Sequence, residues 1–171
     1  MWLYFKSAVA AALVPGTVVG LLPYLILRPA QLAPLADWRF SHVLAVLCML
    51  AGLLILLTCI WQTAYFGRGT LAPIDEPKSL VVQGLYRFVR NPMYLGVLLI
   101  LLSETWLFGS MTLLLYTSIW FLVINLIVLF YEEPNLSTKH GGGYRLYCQS
   151  VRRWMPGRPY RIPGEEAGIE N

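Results

Sequence analysis

The chain has 171 residues, 57% of them hydrophobic and 13% charged, with a formal net charge of +4. Soluble domains carry about 45–50% apolar and about 25% charged residues, so this composition excludes an ordinary cytosolic domain and implies an integral membrane protein forming one compact unit. The mild charge gives no support for nucleic-acid binding, and Cys48, Cys59 and Cys148 show no Cys-x-x-Cys spacing that would suit zinc or a disulfide framework.

A first span is predicted over about Ser7 to Leu27, retained rather than cleaved and kinked near Pro15 and Pro23, which membrane helices tolerate where neighbours satisfy the freed carbonyls. Arg28 to His42, with Asp37, Trp38 and Arg39, reads as an interfacial loop. A second span covers about Val43 to Trp61, and Gly67 to Gln83 is a polar, Gly- and Pro-punctuated loop. Tyr94 to Phe108 forms a third apolar run, the pair Gly109-Ser110 a turn, and Met111 to Tyr131 a fourth run. The third run is only about 22 Å long at the helical rise, which predicts a tight helical hairpin. Glu104 falls near its tip as an interfacial carboxylate, and from Glu132 the composition turns polar and rich in Gly, Tyr and Arg. The expected fold is therefore all-α, an integral membrane helical bundle of about four spans with a C-terminal hairpin.

Basic residues set the topology. An even number of spans puts both termini, the second loop and the tail on one side, leaving only Arg28 and Arg39 on the other, so eleven of the thirteen Lys and Arg residues collect on one face. The positive-inside rule makes that face cytosolic.

Two polar segments flank the hairpin on that face. The first is Leu80-Val81-x-x-Gly84-x-Tyr86-x-x-x-Arg90-Asn91-Pro92-x-Tyr94-x-Gly96. Pro92 suits the first helical turn, and Asn91 suits its N-cap. Gly96, one turn inside, either admits another helix or leaves room for a ligand. Taken alone, the stretch serves equally as a helix start with arginines reaching headgroups or as half of a binding site. The second segment is Glu132-Glu133-Pro134-x-Leu136, then Gly141-x-x-Tyr144-x-x-Tyr147-x-x-x-Val151-Arg152-Arg153-Trp154-x-Pro156. Adjacent carboxylates where a helix leaves the bilayer need water or a partner, for which Arg90, Arg152 and Arg153 are candidates. Tyr144, Tyr147 and Val151 share one helical face. His140, beside the glycine run, reads as a surface residue.

Together these segments resemble the signature of the isoprenylcysteine carboxyl methyltransferase and phospholipid methyltransferase group of small membrane enzymes, in its bacterial form. The resemblance spans about Gly67 to Pro156 and implies an N-terminal pair of spans (1–66), a methyltransferase core (67–156) and a flexible tail (157–171). It implies S-adenosylmethionine as methyl donor, held in a cytosolic pocket between the loop and the tail. Leu80, Val81, Gly84 and Tyr86 would lie along the cofactor. Arg90, Asn91 and Tyr94 would meet its polar amino-acid end or ribose, Glu132 and Glu133 would hold its ammonium or ribose hydroxyls or act near the acceptor, and Gly96, Tyr144 and Tyr147 would complete the cofactor site. Glu133, Arg152 and Arg153 would act near the acceptor, a lipidic or small hydrophobic molecule presenting a carboxylate, amine or thiol. The implied location is a bacterial inner membrane. Two positions depart from the pattern: Asn91 replaces a histidine of the isoprenylcysteine enzymes, and His140 stands where an aromatic precedes Gly141. Tyr147-Cys148 with Val151-Arg152 is also similar to the tail of the longer membrane sterol reductases, which would imply NADPH, and a membrane scaffold or transporter subunit is the non-enzymatic alternative.

Overall fold

The structure, a computed structural model, describes residues 15–27, 40–66 and 82–160. Residues 1–14, with the start of the predicted first span, Leu80, Val81, most of the interfacial and polar loops and the last residues of the tail lie outside them. A π-helical turn, Thr17–Leu21, leads into α1 (Leu22–Ile26), followed by α2 (Phe40–Phe66), a 3-10 turn (Gly84–Arg87), α3 (Pro92–Phe108), α4 (Met111–Ile127), a second π-turn (Val128–Glu132) and α5 (Glu133–Ser150). The described residues form helices and connecting turns, as an all-α bundle requires.

The second helix is longer than the expected Val43 to Trp61, because Phe40 and Phe66 at its ends are as able to continue an interfacial helix as the apolar residues between them. Near its end Trp61 and Tyr65 stack with ring centroids 5.4 Å apart and stay exposed, the placement of aromatics at a bilayer interface. Of the four expected spans, α2 and the helix from Met111 are long and apolar enough to cross a membrane, whereas α3 is shorter. Its 17 residues reach about 25 Å, less than a typical hydrocarbon core.

The hairpin turns in two residues. Gly109 ends α3 in the left-handed conformation at φ 56°, its N–H returning to the Thr105 and Trp106 carbonyls, and Ser110 Oγ accepts the Leu113 N–H to start α4.

A sharper correction concerns Glu132, where the sequence suggested that helix would give way to a separate polar tail. Instead α4 runs through the π-turn directly into α5. Pro134 lacks the N–H for an ordinary turn, and the wider π-turn just before it changes the hydrogen-bond register at that point. The glycine run kinks this helix rather than ending it, with Gly141 at φ 55°.

Helices α2 and α3 make the most extensive contact in the bundle. Their backbones cross at Gly52 and Gly96: a Cβ on Gly52 would lie 2.8 Å from the Gly96 carbonyl oxygen, and one on Gly96 would lie 3.0 Å from that of Gly52. Leu56, Val97, Ile100 and Leu101 form the buried core beside this crossing, with Met49, Ile60 and Trp120 packed around it. The Tyr116 hydroxyl donates to the Val18 carbonyl at 2.9 Å and ties the first helix to the hairpin.

Gly96→Val should therefore force two backbones apart and cost about 1–3 kcal/mol. Gly109→Ala meets no atom within 4 Å and should cost about 1 kcal/mol, from its backbone conformation alone. Thermal unfolding of the two variants in detergent, with Gly96→Val the less stable, checks this.

Candidate functional site

The two polar segments close on each other through backbone. Arg90 N–H donates to the Arg152 carbonyl at 2.9 Å, Gly157 N–H to that of Phe88 at 2.9 Å, and Tyr160 N–H to that of Arg87 at 2.8 Å. Residues 87–90 and 152–160 thus form a strap across the end of the hairpin. Arg87 Nε adds a bond to the Tyr160 carbonyl at 2.9 Å.

Under this strap lies a charge cluster centred on Glu133. Arg153 grips its carboxylate with two hydrogen bonds of 2.7 Å, and Arg90 Nη1 stands 3.0 Å from Oε1. Such a two-point guanidinium clamp is among the strongest polar contacts a side chain makes. Arg90 Nη1 also lies 3.0 Å from Cys148 Sγ, while Arg90 Nε is buried with no hydrogen-bond partner among the described residues. The bond to Glu133 raises the Arg153 pKa above its ordinary value. One turn into α3, the Tyr94 hydroxyl donates to Glu132.

Tyrosines wall the cluster. Tyr144, Tyr147 and Val151 share the buried face their spacing implied and pack with Val82. Tyr160 meets Tyr147 edge-on at 5.6 Å, and the Tyr147 hydroxyl donates to the Tyr86 carbonyl at 2.7 Å. Burial pushes the hydroxyls of Tyr86, Tyr144 and Tyr147 above the ordinary tyrosine range. The Cys59 thiol adds to this at Tyr86, Cys148 at Tyr144 and Tyr86 at Tyr147.

Other residues of these segments, with Glu104, make contacts of their own. Asn91 sits at the N-cap of α3 without a side-chain cap bond; its Nδ2 instead donates to the Arg153 carbonyl at 3.3 Å, so it ties the strap to the helix start. Gly96 serves the helix crossing, where backbone atoms take the space a ligand would need. Gly84, at φ +57°, is pressed against Gln62, which a Cβ would meet at 2.0 Å. Arg152 contributes its carbonyl while its side chain is exposed, so it is not drawn to the carboxylates as Arg90 and Arg153 are. His140 lies in α5 just before the kink, its pKa lowered by partial burial and then by Lys139. Glu104, near the hairpin tip, has a buried Oε2 without a hydrogen-bond partner among the described residues and stands apart from the cluster.

The sequence reading missed the contribution of α2. Gln62 Oε1 accepts the Leu85 N–H at 3.3 Å, and the Thr63 and Tyr86 hydroxyls lie 3.3 Å apart. Two adjacent polar residues inside an apolar run were the available signal. Asn125, an amide in the apolar fourth run, is a second case: its Oδ1 accepts from Trp154 Nε1 at 2.9 Å.

Residues 40–142 match the family model described as phospholipid methyltransferase, a stretch longer than half the chain. The chain belongs to the phospholipid methyltransferase family. Family membership, with its long apolar helices, makes it a membrane protein whose general activity is methyl transfer; it lends nothing to the reductase or scaffold alternatives. An uncharacterised protein of Haemophilus influenzae is 46% identical over 63 residues, which cover 37% of this chain and all of that relative. No solved structure matches. The family match begins with α2 and ends at residue 142, so residues 152–160 of the strap lie beyond it.

Glu133→Gln should weaken the bonds to two guanidiniums and cost about 2 kcal/mol, whereas Arg152→Gln should stay within about 0.5 kcal/mol of the parent, both read by thermal unfolding. The tyrosines set an alkaline limit. Their folded-state pKa values are raised, so their contribution to stability is complete below the ordinary tyrosine pKa of about 10 and is lost as pH climbs above it. Melting temperature should fall steeply above about pH 10, and less steeply in Tyr147→Phe, when followed across an alkaline series.

Proposed function

We propose that the chain transfers a methyl group from S-adenosylmethionine to a lipidic or membrane-partitioned acceptor at the cytosolic face of a bacterial inner membrane. The observation that carries this reading is the meeting of Arg90, Glu132, Glu133 and Arg153 with a wall of tyrosines where the hairpin reaches the interface.

The donor set suits this cofactor, a zwitterion with a sulfonium and an aromatic base. The buried, unpartnered Nε of Arg90 is a ready donor to its carboxylate, Glu132 an acceptor for its ammonium or ribose hydroxyls, and Tyr144 and Tyr147 an apolar wall against which it can lie. When bound, S-adenosylmethionine supplies a methyl group on positively charged sulfur. In-line displacement asks the protein mainly for alignment and a dry site. Glu133, with its oxygens committed to Arg153 and Arg90, positions those two guanidiniums. An acceptor that sheds a proton needs a base. Glu132, which accepts from the Tyr94 hydroxyl, suits that role better than Glu133, whose oxygens are held by guanidiniums. Arg153, held by Glu133, contributes to orienting an anionic group of the acceptor.

Purified protein should bind S-adenosylhomocysteine, and Arg90→Ala should weaken binding at least about tenfold, equivalent to about 1.4 kcal/mol. Membranes containing the protein should move label from S-adenosylmethionine into the lipid fraction. Absence of binding in several detergents and in nanodiscs would sink the proposal.

A further inference from the structure

The tail does not simply leave the membrane. Trp154 lies beside α4, with its indole N–H on Asn125 and its ring 5.2 Å, centroid to centroid, from that of Phe121. Asn125 and Phe121 precede Glu132 by seven and eleven residues, or about 10 and 16 Å of helix back toward the bilayer interior. The chain therefore turns at Val151 and runs back alongside α4. Around Trp154 the strap exposes Met155 at 64% and, from its paired segment, Phe88 at 41%, together with the exposed Arg152 and Arg158.

We propose that residues 152–158 are an interfacial strap seated in the lipid leaflet where the hairpin ends, with Met155 among the acyl chains and Arg152 and Arg158 on the phosphates of anionic phospholipids. Depth and charge select this occupant. An exposed methionine beside an indole anchored on a transmembrane helix meets acyl chains, and flanking arginines reach up to headgroups, where anionic lipids attract them. The strap is also the roof of the charge cluster. Its backbone pairs with residues 87–90, its Arg153 carbonyl receives Asn91, and its Arg153 side chain holds Glu133. Anionic lipid on the strap's outer surface thus favours the closed pocket. The lipid contact stands on the fold alone; its effect on ligand affinity rests on the methyl-donor reading above.

The full chain is reconstituted in nanodiscs of phosphatidylcholine with or without phosphatidylglycerol, and retained lipid is counted by native mass spectrometry. Wild type should retain phosphatidylglycerol preferentially, and Arg152→Gln and Arg158→Gln should each reduce that preference about fivefold. A photo-crosslinking benzoylphenylalanine in place of Met155 should form lipid adducts. Equal retention by wild type and the double variant, or an absence of lipid adducts at position 155, overturns the strap. If the double variant does not fold, Arg158→Gln alone decides. S-adenosylhomocysteine should bind several-fold more tightly with phosphatidylglycerol present, a difference that the double variant loses. Lipid-independent affinity overturns the coupling and leaves the lipid contact standing. Failure to bind in any disc sinks the methyl-donor reading, while lipid retention still decides the strap.

Discussion

A carboxylate at a membrane boundary is costly unless it is paired, and Glu133 is paired twice, with one guanidinium from each of two distant segments. That requirement organises the molecule. Arg90 lies before the hairpin and Arg153 after it, so satisfying Glu133 brings the entry and exit of the hairpin together. The backbone bonds between 87–90 and 152–160 then follow as the shortest way to satisfy chain that has already been drawn close.

The apolar part of the bundle sets the precision of this arrangement. Where α2 and α3 cross at Gly52 and Gly96, no side chain separates the backbones. The polar end of α2 is thereby brought against the turn at 84–87, where Gln62 meets the Leu85 amide and Thr63 the Tyr86 hydroxyl. Glycine at position 84 permits both the left-handed backbone and the contact with Gln62. A helix that composition marks only as lipid-facing therefore also supports the wall of the site.

Apolar runs and their punctuation made the hairpin legible: Gly109-Ser110 forms the turn and Pro92 the helix start that their chemistry implies. The shared face of Tyr144, Tyr147 and Val151 was equally readable, because a 3.6-residue period needs no tertiary information. Long-range partnership was not readable. Asn91 matched a capping position by type, yet its amide answers a carbonyl 62 residues away. Gly96 allowed either a helix or a ligand until its neighbour was known. Glu132 looked like an end because polarity changes there, but helical hydrogen bonding depends on backbone geometry and survives a change of solvent. Gln62, Thr63 and Asn125 were outweighed by the apolar residues around them.

The uninterrupted passage from α4 into α5 bears on how the site comes into being during synthesis. A chain made from its N-terminus completes the hairpin and Arg90 before residues 152–160 of the strap exist. Glu133 follows directly on the last transmembrane turn and meets Arg153 only after the whole of α5 has been added. The charge cluster is therefore completed only once residues 152–160 have been made.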